Sequence, residues 1–220
     1  MKLNQYIDHT VLKATATGKD IEQLCAEART HEFFSVCVNS AWVPLAKKLL
    51  AGSAVKVCSV IGFPLGAMSC EAKVFEAKTA VSQGADEIDM VINVGLLKAG
   101  QADAVHDEIR AIKEAVGSRV LKVIIETCYL SDDEKVMACT LAVAAGADFV
   151  KTSTGFGTGG ATFEDVQLML NTVAGKAKVK ASGGVRDAET AMKYVEMGVM
   201  RLGTSNGIQI VSGEKVTGGY

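Results

Sequence analysis

Several things are scarce in this 220-residue chain, and each absence closes a class of function. It has no apolar run approaching 18 residues, so no helix is expected to span a membrane. The first eight residues, Met1 to Asp8, carry no apolar h-region, so no signal peptide is expected. No Asn-x-Ser/Thr sequon occurs. Net charge is only −2, from 23 basic and 25 acidic residues, which gives no electrostatic reason to expect nucleic acid or a membrane surface as partner. Histidine is limited to His9, His31 and His106, scattered rather than clustered, which argues against a catalytic zinc. The six cysteines (Cys25, Cys37, Cys58, Cys70, Cys128 and Cys139) form no Cys-x-x-Cys pair. In a chain this long they read as reduced thiols of a cytoplasmic protein, not as a disulfide framework. No Pro/Ser-rich linker divides the chain, so one domain over residues 1–220 is expected, with 213–220 a flexible tail.

What is present is a repeat. Gly84-Ala85-Asp86-Glu87-Ile88-Asp89 and Gly146-Ala147-Asp148-Phe149-Val150-Lys151 open alike, and the stretches from Gly175 to Lys180 and from Gly198 to Gly203 keep the spacing. In each, a glycine stops a helix and a short apolar strand follows. Strands are expected near Tyr6–Asp8, Phe34–Asn39, Val55–Ile61, Glu87–Ile92, Val120–Glu126, Phe149–Thr152, Val179–Ser182 and Met200–Gly203. Amphipathic segments lie between them. Asp20 to His31 places Ile21, Leu24, Cys25 and Ala28 on one face, and Met68 to Gln83 places Val74, Ala77 and Val81. Ala102 to Val116 presents Val105, Ile109, Ile112 and Val116. Asp187 to Met197 presents Ala188, Ala191, Met192 and Val195. Ser131 to Ala145 opens on a capping-box spacing. Eight such units suit a closed α/β fold, the (β/α)8 TIM barrel; an open doubly wound sheet is the alternative.

Chemistry gathers at the strand ends. Lys151 closes an apolar strand where an uncompensated ammonium would cost several kcal/mol, roughly, on burial. It is either paired or used as a neutral amine. Asp89 and Lys180 occupy the equivalent level of two other strands, and in a barrel those levels converge at the C-terminal mouth, where active sites lie. A free lysine, with a pKa near 10.4, is about one part in 2,500 neutral at pH 7. Making such an amine available at neutral pH is worth roughly 4.6 kcal/mol, and a second ammonium nearby works in that direction.

Two glycine motifs carry other readings. Gly155-Phe156-Gly157-Thr158-Gly159-Gly160 has the G-x-G-x-x-G pattern but no acidic residue about twenty positions on, so a flexible loop at the mouth fits better than a dinucleotide site. Gly203-Thr204-Ser205-Asn206-Gly207 has the G-x-S-x-G pattern, yet every histidine lies upstream of it, against a serine hydrolase. With Ser182-Gly183-Gly184-Val185 it suits a phosphate instead, since such sites follow strands seven and eight.

Five stretches carry a family resemblance. They are Tyr6-Ile7-Asp8-His9-Thr10, Asp86 to Asn93, Lys122 to Thr127, Lys151-Thr152-Ser153-Thr154-Gly155 and Lys178 to Gly184. In order, they resemble the deoxyribose-phosphate aldolases, from Tyr6 to about Gly207. The resemblance implies a TIM barrel that cleaves 2-deoxy-D-ribose 5-phosphate reversibly to acetaldehyde and glyceraldehyde 3-phosphate, with no cofactor. It implies Lys151 as the Schiff-base lysine, Lys180 as the lysine that tunes it and Asp89 as the proton-relay acid. Asp8, Thr10 and Thr152 would lie under or beside the substrate, and Gly183, Gly184, Ser205 and Asn206 would hold phosphate. Some relatives carry a lysine where this chain has Phe156 and a serine where it has Asn206, so backbone and Ser205 should bear more of the phosphate here. The expected partners are phosphosugars and aldehydes, and a homo-oligomer is compatible with them. Two further residues invite a role. Cys37, read as ending the second strand, could face the mouth, and Tyr220 could return to it on the glycine-rich tail. The bland readings are an apolar filler and a frayed terminus. An isomerase or epimerase, or a non-catalytic phosphosugar-binding barrel, would use the same scaffold without an imine.

Overall fold

A computed structural model describes residues 2–213. Eight parallel strands close into a barrel in sequence order: β1 (Ile7–Val11), β2 (Ser35–Asn39), β3 (Lys56–Ile61), β4 (Glu87–Val91), β5 (Val120–Ile124), β6 (Phe149–Lys151), β7 (Lys178–Ser182) and β8 (Arg201–Thr204). Closure is made by β8 pairing with β1, Asp8 opposite Gly203. The helices are α1 (Gly18–Thr30), α2 (Val43–Leu49), α3 (Cys70–Ser82), α4 (Val94–Lys98), α5 (Ala102–Val116), α6 (Asp132–Ala144), α7 (Phe163–Val173), α8 (Ala188–Glu196) and α9 (Gly207–Ser212). The chain is therefore a (β/α)8 barrel, and the open-sheet alternative falls.

Local signals account for most boundaries. Ser131 caps α6 with its side chain on the Glu134 N–H, and the Glu134 carboxylate returns to the Ser131 N–H at 2.8 Å. Thr17 and Asp20 make the same reciprocal cap on α1. Each satisfies N–H groups that have no partner inside the helix. The buried face of α1 is Ile21, Leu24, Cys25 and Ala28, as its periodicity indicates.

Two helix faces differ from that expectation. On α3 the buried residues are Lys73, Ala77 and Ala80, while Val74 and Val81 are only half-buried. The helix turns Lys73 inward because its ammonium meets the buried Glu108 carboxylate of α5 at 2.8 Å and donates to the Val91 carbonyl at 2.8 Å. On α8 Met192 is exposed, and Tyr194 takes a place in the core beside Phe163.

The main apolar core lies between the barrel and its helices. Val36, Ile88, Met90, Leu121, Val123, Val150, Val179 and Leu202 face outward into it. Branched apolar side chains usually fill the inside of such a barrel as well. Here the inside holds ions, with a small apolar cluster of Leu12, Cys37, Cys58 and Val60 beside them.

Candidate active site

Inward positions on six strands carry Asp8 (β1), Glu87 and Asp89 (β4), Lys122 (β5), Lys151 (β6), Lys180 (β7) and Arg201 (β8), all buried. Asp89 is the hub. Its Oδ2 accepts from Lys151 Nζ at 2.9 Å and Lys180 Nζ at 2.8 Å, and its Oδ1 accepts from Lys122 Nζ at 2.8 Å and the Cys58 thiol at 3.1 Å. Lys180 also donates to Asp8 Oδ2. Asp8 Oδ1 accepts from Ser35 Oγ at 2.6 Å and from Arg201 Nε at 2.8 Å. Glu87 Oε2 lies 2.6 Å from both Lys122 Nζ and Arg201 Nη2. Beneath, the Arg201 guanidinium stacks on the Phe34 ring, 3.6 Å from its centroid.

Burial alone would raise the Asp89 carboxyl. Lys122, Lys151 and Lys180 outweigh it and hold the group well below the usual carboxylate range. Asp8 is depressed in the same way, with Arg201, Lys180 and Lys122 overcoming its burial. For Lys180, burial pulls down, but Asp8 and Asp89 raise it above an ordinary lysine, so it stays an ammonium. The Lys122 ammonium is favoured by Asp89 against the same desolvation.

The network distinguishes its lysines. Four cations (Lys122, Lys151, Lys180, Arg201) meet three anions (Asp8, Glu87, Asp89), a formal excess of one positive charge, 4 − 3 = +1. Lys180 and Lys122 are fully buried and each touches more than one carboxylate. Lys151 pairs with Asp89 and opens onto the mouth, sharing a cleft with Thr10, Gly155, Gly184 and Ser205.

The mouth cleft continues into a wider one of about 580 Å³, bounded by Leu12, Lys13, Thr15, Asp20, Phe156 and Arg186. Gly183, on the wall of the mouth cleft, is touched from behind by Gly160: a Cβ on Gly160 would stand 2.3 Å from the Gly183 carbonyl oxygen. The Thr204 hydroxyl donates to the Val185 carbonyl at 2.7 Å and accepts from the Asn206 N–H at 2.9 Å, which joins the two loops.

The residues singled out from sequence sort as follows. Lys151, Lys180 and Asp89 converge on one oxygen atom. Thr10, Gly183, Gly184, Ser205 and Asn206 line the cleft. Asp8 does not reach it; its carboxylate is wholly buried and engaged by Lys180 and Arg201. Thr152 does not reach it either, because its hydroxyl donates to the Ser182 carbonyl and accepts from the Ser182 N–H, both at 3.0 Å, tying β6 to β7. Cys37 does not end β2, which runs on to Asn39, and its thiol is fully buried beside Cys58. Tyr220 lies outside the described residues. Sequence reasoning passed over Glu87, Lys122, Arg201 and Arg186. A charge inside an apolar strand, as in Val120-Leu121-Lys122-Val123-Ile124, is the signal that marks the first three.

Among the described residues one group of metal-type donors is present, the Cys37 and Cys58 sulfurs and an Asp89 oxygen, within 4.8 Å of one another. Lys122 Nζ already lies 3.4 Å from the Cys58 sulfur and 2.8 Å from Asp89. The Lys122 and Lys180 ammonium groups on that carboxylate oppose a further cation there. No helix among the described residues is long and apolar enough to cross a membrane.

Comparison with known proteins gives the family of the chain. Residues 2–211 match the family model described as DeoC/LacD family aldolase. Over 220 residues the chain is 59% identical to a deoxyribose-phosphate aldolase of Streptococcus uberis, covering 100% of both chains. Over 221 residues it is 58% identical to one of Brevibacillus brevis, again covering 100% of both. Among solved structures, the tetrameric deoxyribose phosphate aldolase of Aeropyrum pernix superposes with a TM-score of 0.88 at 33% identity, over 96% of this chain and 89% of that one.

Proposed function

This chain belongs to the DeoC/LacD aldolase family, and from that premise we propose that Lys151 is the amine that makes its Schiff base. The enzyme is an aldolase. Its reaction is the reversible cleavage of 2-deoxy-D-ribose 5-phosphate to acetaldehyde and D-glyceraldehyde 3-phosphate. One observation carries the choice of lysine: of the three buried lysines around Asp89, only Lys151 lines the cleft.

The chemistry follows from that position. Neutral Lys151 adds to the C1 aldehyde of the open-chain sugar and expels water, leaving a protonated imine. The imine is an electron sink one carbon from the bond that breaks. As the C3 hydroxyl loses its proton, the C2–C3 electron pair moves into the iminium, and glyceraldehyde 3-phosphate departs. The remaining enamine takes a proton at C2, and water releases acetaldehyde from Lys151. No metal or organic cofactor is needed for these steps. Lys180, held charged by Asp8 and Asp89, disfavours a second ammonium beside it and so supports a neutral Lys151. Asp89 touches both amines and relays protons between them and, through a water, the C3 hydroxyl. Its depressed carboxyl is a weak base, so it passes a proton on and does not keep it.

The phosphate end lies against Gly183, Gly184, Ser205 and Asn206, with the Arg186 side chain at the rim. Six unpaired thiols support a cytoplasmic location. The tetrameric Aeropyrum relative supports a homo-oligomer. Trapping with acetaldehyde and borohydride, followed by peptide mass spectrometry, is the test. An irreversible adduct on Lys151 is expected; an unmodified protein, or an adduct only on another lysine, removes the reading.

A further inference from the structure

Glu126 stands just past the end of β5, two residues beyond Ile124. Its backbone is left-handed, with φ 54° and ψ 69°, which residues bearing a Cβ rarely adopt and which is retained where the surroundings demand it. Its carboxylate is buried. It accepts from the Thr154 N–H, at 3.2 Å to Oε1 and 3.3 Å to Oε2, and from the Thr154 hydroxyl.

The turn at Glu126 explains this pairing. Backbone rungs between the β5 and β6 segments run from the Ile125 N–H to the Lys151 carbonyl and from the Thr127 N–H to the Thr152 carbonyl, both 3.0 Å. The Glu126 side chain carries the connection further, to Thr154. From there the loop folds back against the same residues. A Cβ on Gly157 would stand 2.8 Å from the Cys128 sulfur and 3.3 Å from Glu126 Cδ. At its far end the Ala161 N–H donates to the Ser182 and Gly183 carbonyls at 3.1 and 3.0 Å. Segment 154–161 is thus held by Glu126 at one end and by the Gly183 turn at the other. Its first residues, Thr154 and Gly155, line the mouth cleft together with Gly183, Gly184 and Lys151. Glu126 does not line the mouth cleft; it lines a separate small cavity with Pro64, Val91 and Tyr129. Its charge is therefore set behind Thr154, away from an anion in the cleft.

We propose that Glu126 is a positioning residue for the phosphate end of the substrate, acting through Thr154 and Gly155. The inference rests on the reading that this cleft takes a phosphosugar. Removing the carboxylate frees the Thr154–Gly155 wall, and the substrate loses fit where it is phosphorylated, not where it forms the imine.

The test compares Glu126→Ala, Glu126→Gln and Thr154→Val on 2-deoxyribose 5-phosphate and on unphosphorylated 2-deoxyribose, with acetaldehyde trapping on Lys151 in parallel. For Glu126→Ala, KM for the phosphorylated sugar should rise roughly tenfold while kcat/KM on the unphosphorylated sugar stays within about twofold and trapping is undiminished. Glu126→Gln keeps an acceptor for Thr154 and should recover most of the loss. Thr154→Val removes only the hydroxyl donor and should show the same split, smaller. If Glu126→Ala does not fold, the latter two variants decide. Equal losses on both sugars, or none on either, overturn the assignment. Failure of the wild-type protein to trap on Lys151 would instead overturn the proposed reaction.

Discussion

Along β4, Ile88 and Met90 point outward into an apolar layer beneath the helices, while Glu87 and Asp89 point inward to three lysines and an arginine. The same alternation holds on β5, with Leu121 and Val123 outside and Lys122 inside, and on β7, with Val179 and Ala181 outside and Lys180 inside. Successive side chains of a strand take opposite faces, so one sheet presents two chemistries. The outer face gains about 1.5–3 kcal/mol for each fully buried large aliphatic side chain, with little dependence on partner. The inner face gains little from its pairs in net terms and loses about 3–5 kcal/mol when removing one member leaves a buried charge with no remaining partner. The outer layer thus supplies stability, and the inner network supplies an arrangement in which one amine is left at the open end.

Four experiments bear on that contrast, beginning with the largest expected effect. Lys151→Ala should abolish imine trapping and lower kcat/KM by on the order of 10⁴-fold or more, as expected when a covalent nucleophile is removed. Its stability should change little, because Asp89 keeps Lys122 and Lys180. A strongly destabilised Lys151→Ala protein would mean that the inner network has no spare member.

Lys180→Leu should cost about 10²–10³-fold in activity near neutral pH, the scale of a positioned charged group, and regain part of it in alkali. A pH–rate profile of unchanged shape would contradict the tuning role.

Ile88→Ala and Asp8→Asn should each destabilise by about 2–5 kcal/mol, but with different pH dependence in urea unfolding. Asp8 and Asp89 are depressed in the folded state, so below about pH 4 the unfolded chain binds more protons than the native one. Their contribution is full above the ordinary carboxyl range and fades as the pH falls toward the depressed native values. The cost of Asp8→Asn should therefore shrink in acid, while that of Ile88→Ala stays level. Parallel curves would show that the inner carboxylates are not what acid attacks.

The smallest effect is expected where the contrast has an exception. Lys73 and Glu108 are a buried pair within the outer layer. Burial lowers the lysine and raises the glutamate. Replacing both, as Lys73→Met with Glu108→Leu, should be close to neutral, within about 1–2 kcal/mol, whereas Lys73→Met alone should cost about 3 kcal/mol or more. A double variant as unstable as the single one would mean that the pair's bonds to Val91 and Asn93 matter more than its charges.

The fold was highly legible. The faces of α1 and α5 follow from period alone, and eight repeated strand–helix units leave few solutions other than a closed barrel. Helix α3 was misjudged because Lys73 reads as a surface residue until its partner, 35 positions later in the chain, is known. At the site, Lys151, Lys180 and Asp89 were visible as charges at strand ends. Lys122, Glu87 and Arg201 were not drawn into it, since a lone charge in a strand does not name its partner. Asp8, expected under the substrate, lies beneath the cleft bonded to Lys180 and Arg201, and Thr152 is turned to β7 by its bonds to Ser182.

The sequence by itself determined most inward and outward positions, because strand and helix periods are local properties of neighbouring residues; Lys73 on α3 and Tyr194 on α8 are the exceptions. It also determined the kinds of charge available to the barrel interior. Only the tertiary structure decided which of those charges meet. Asp89 binds lysines 33, 62 and 91 positions away, and Asp8 binds an arginine 193 positions away. Those meetings depend on strand stagger and on closure of β8 against β1, and the same geometry leaves Lys151 at the opening while Lys180 is sealed beneath it. A carboxylate carries no record in its local sequence of which ammonium group the closed barrel will bring to it.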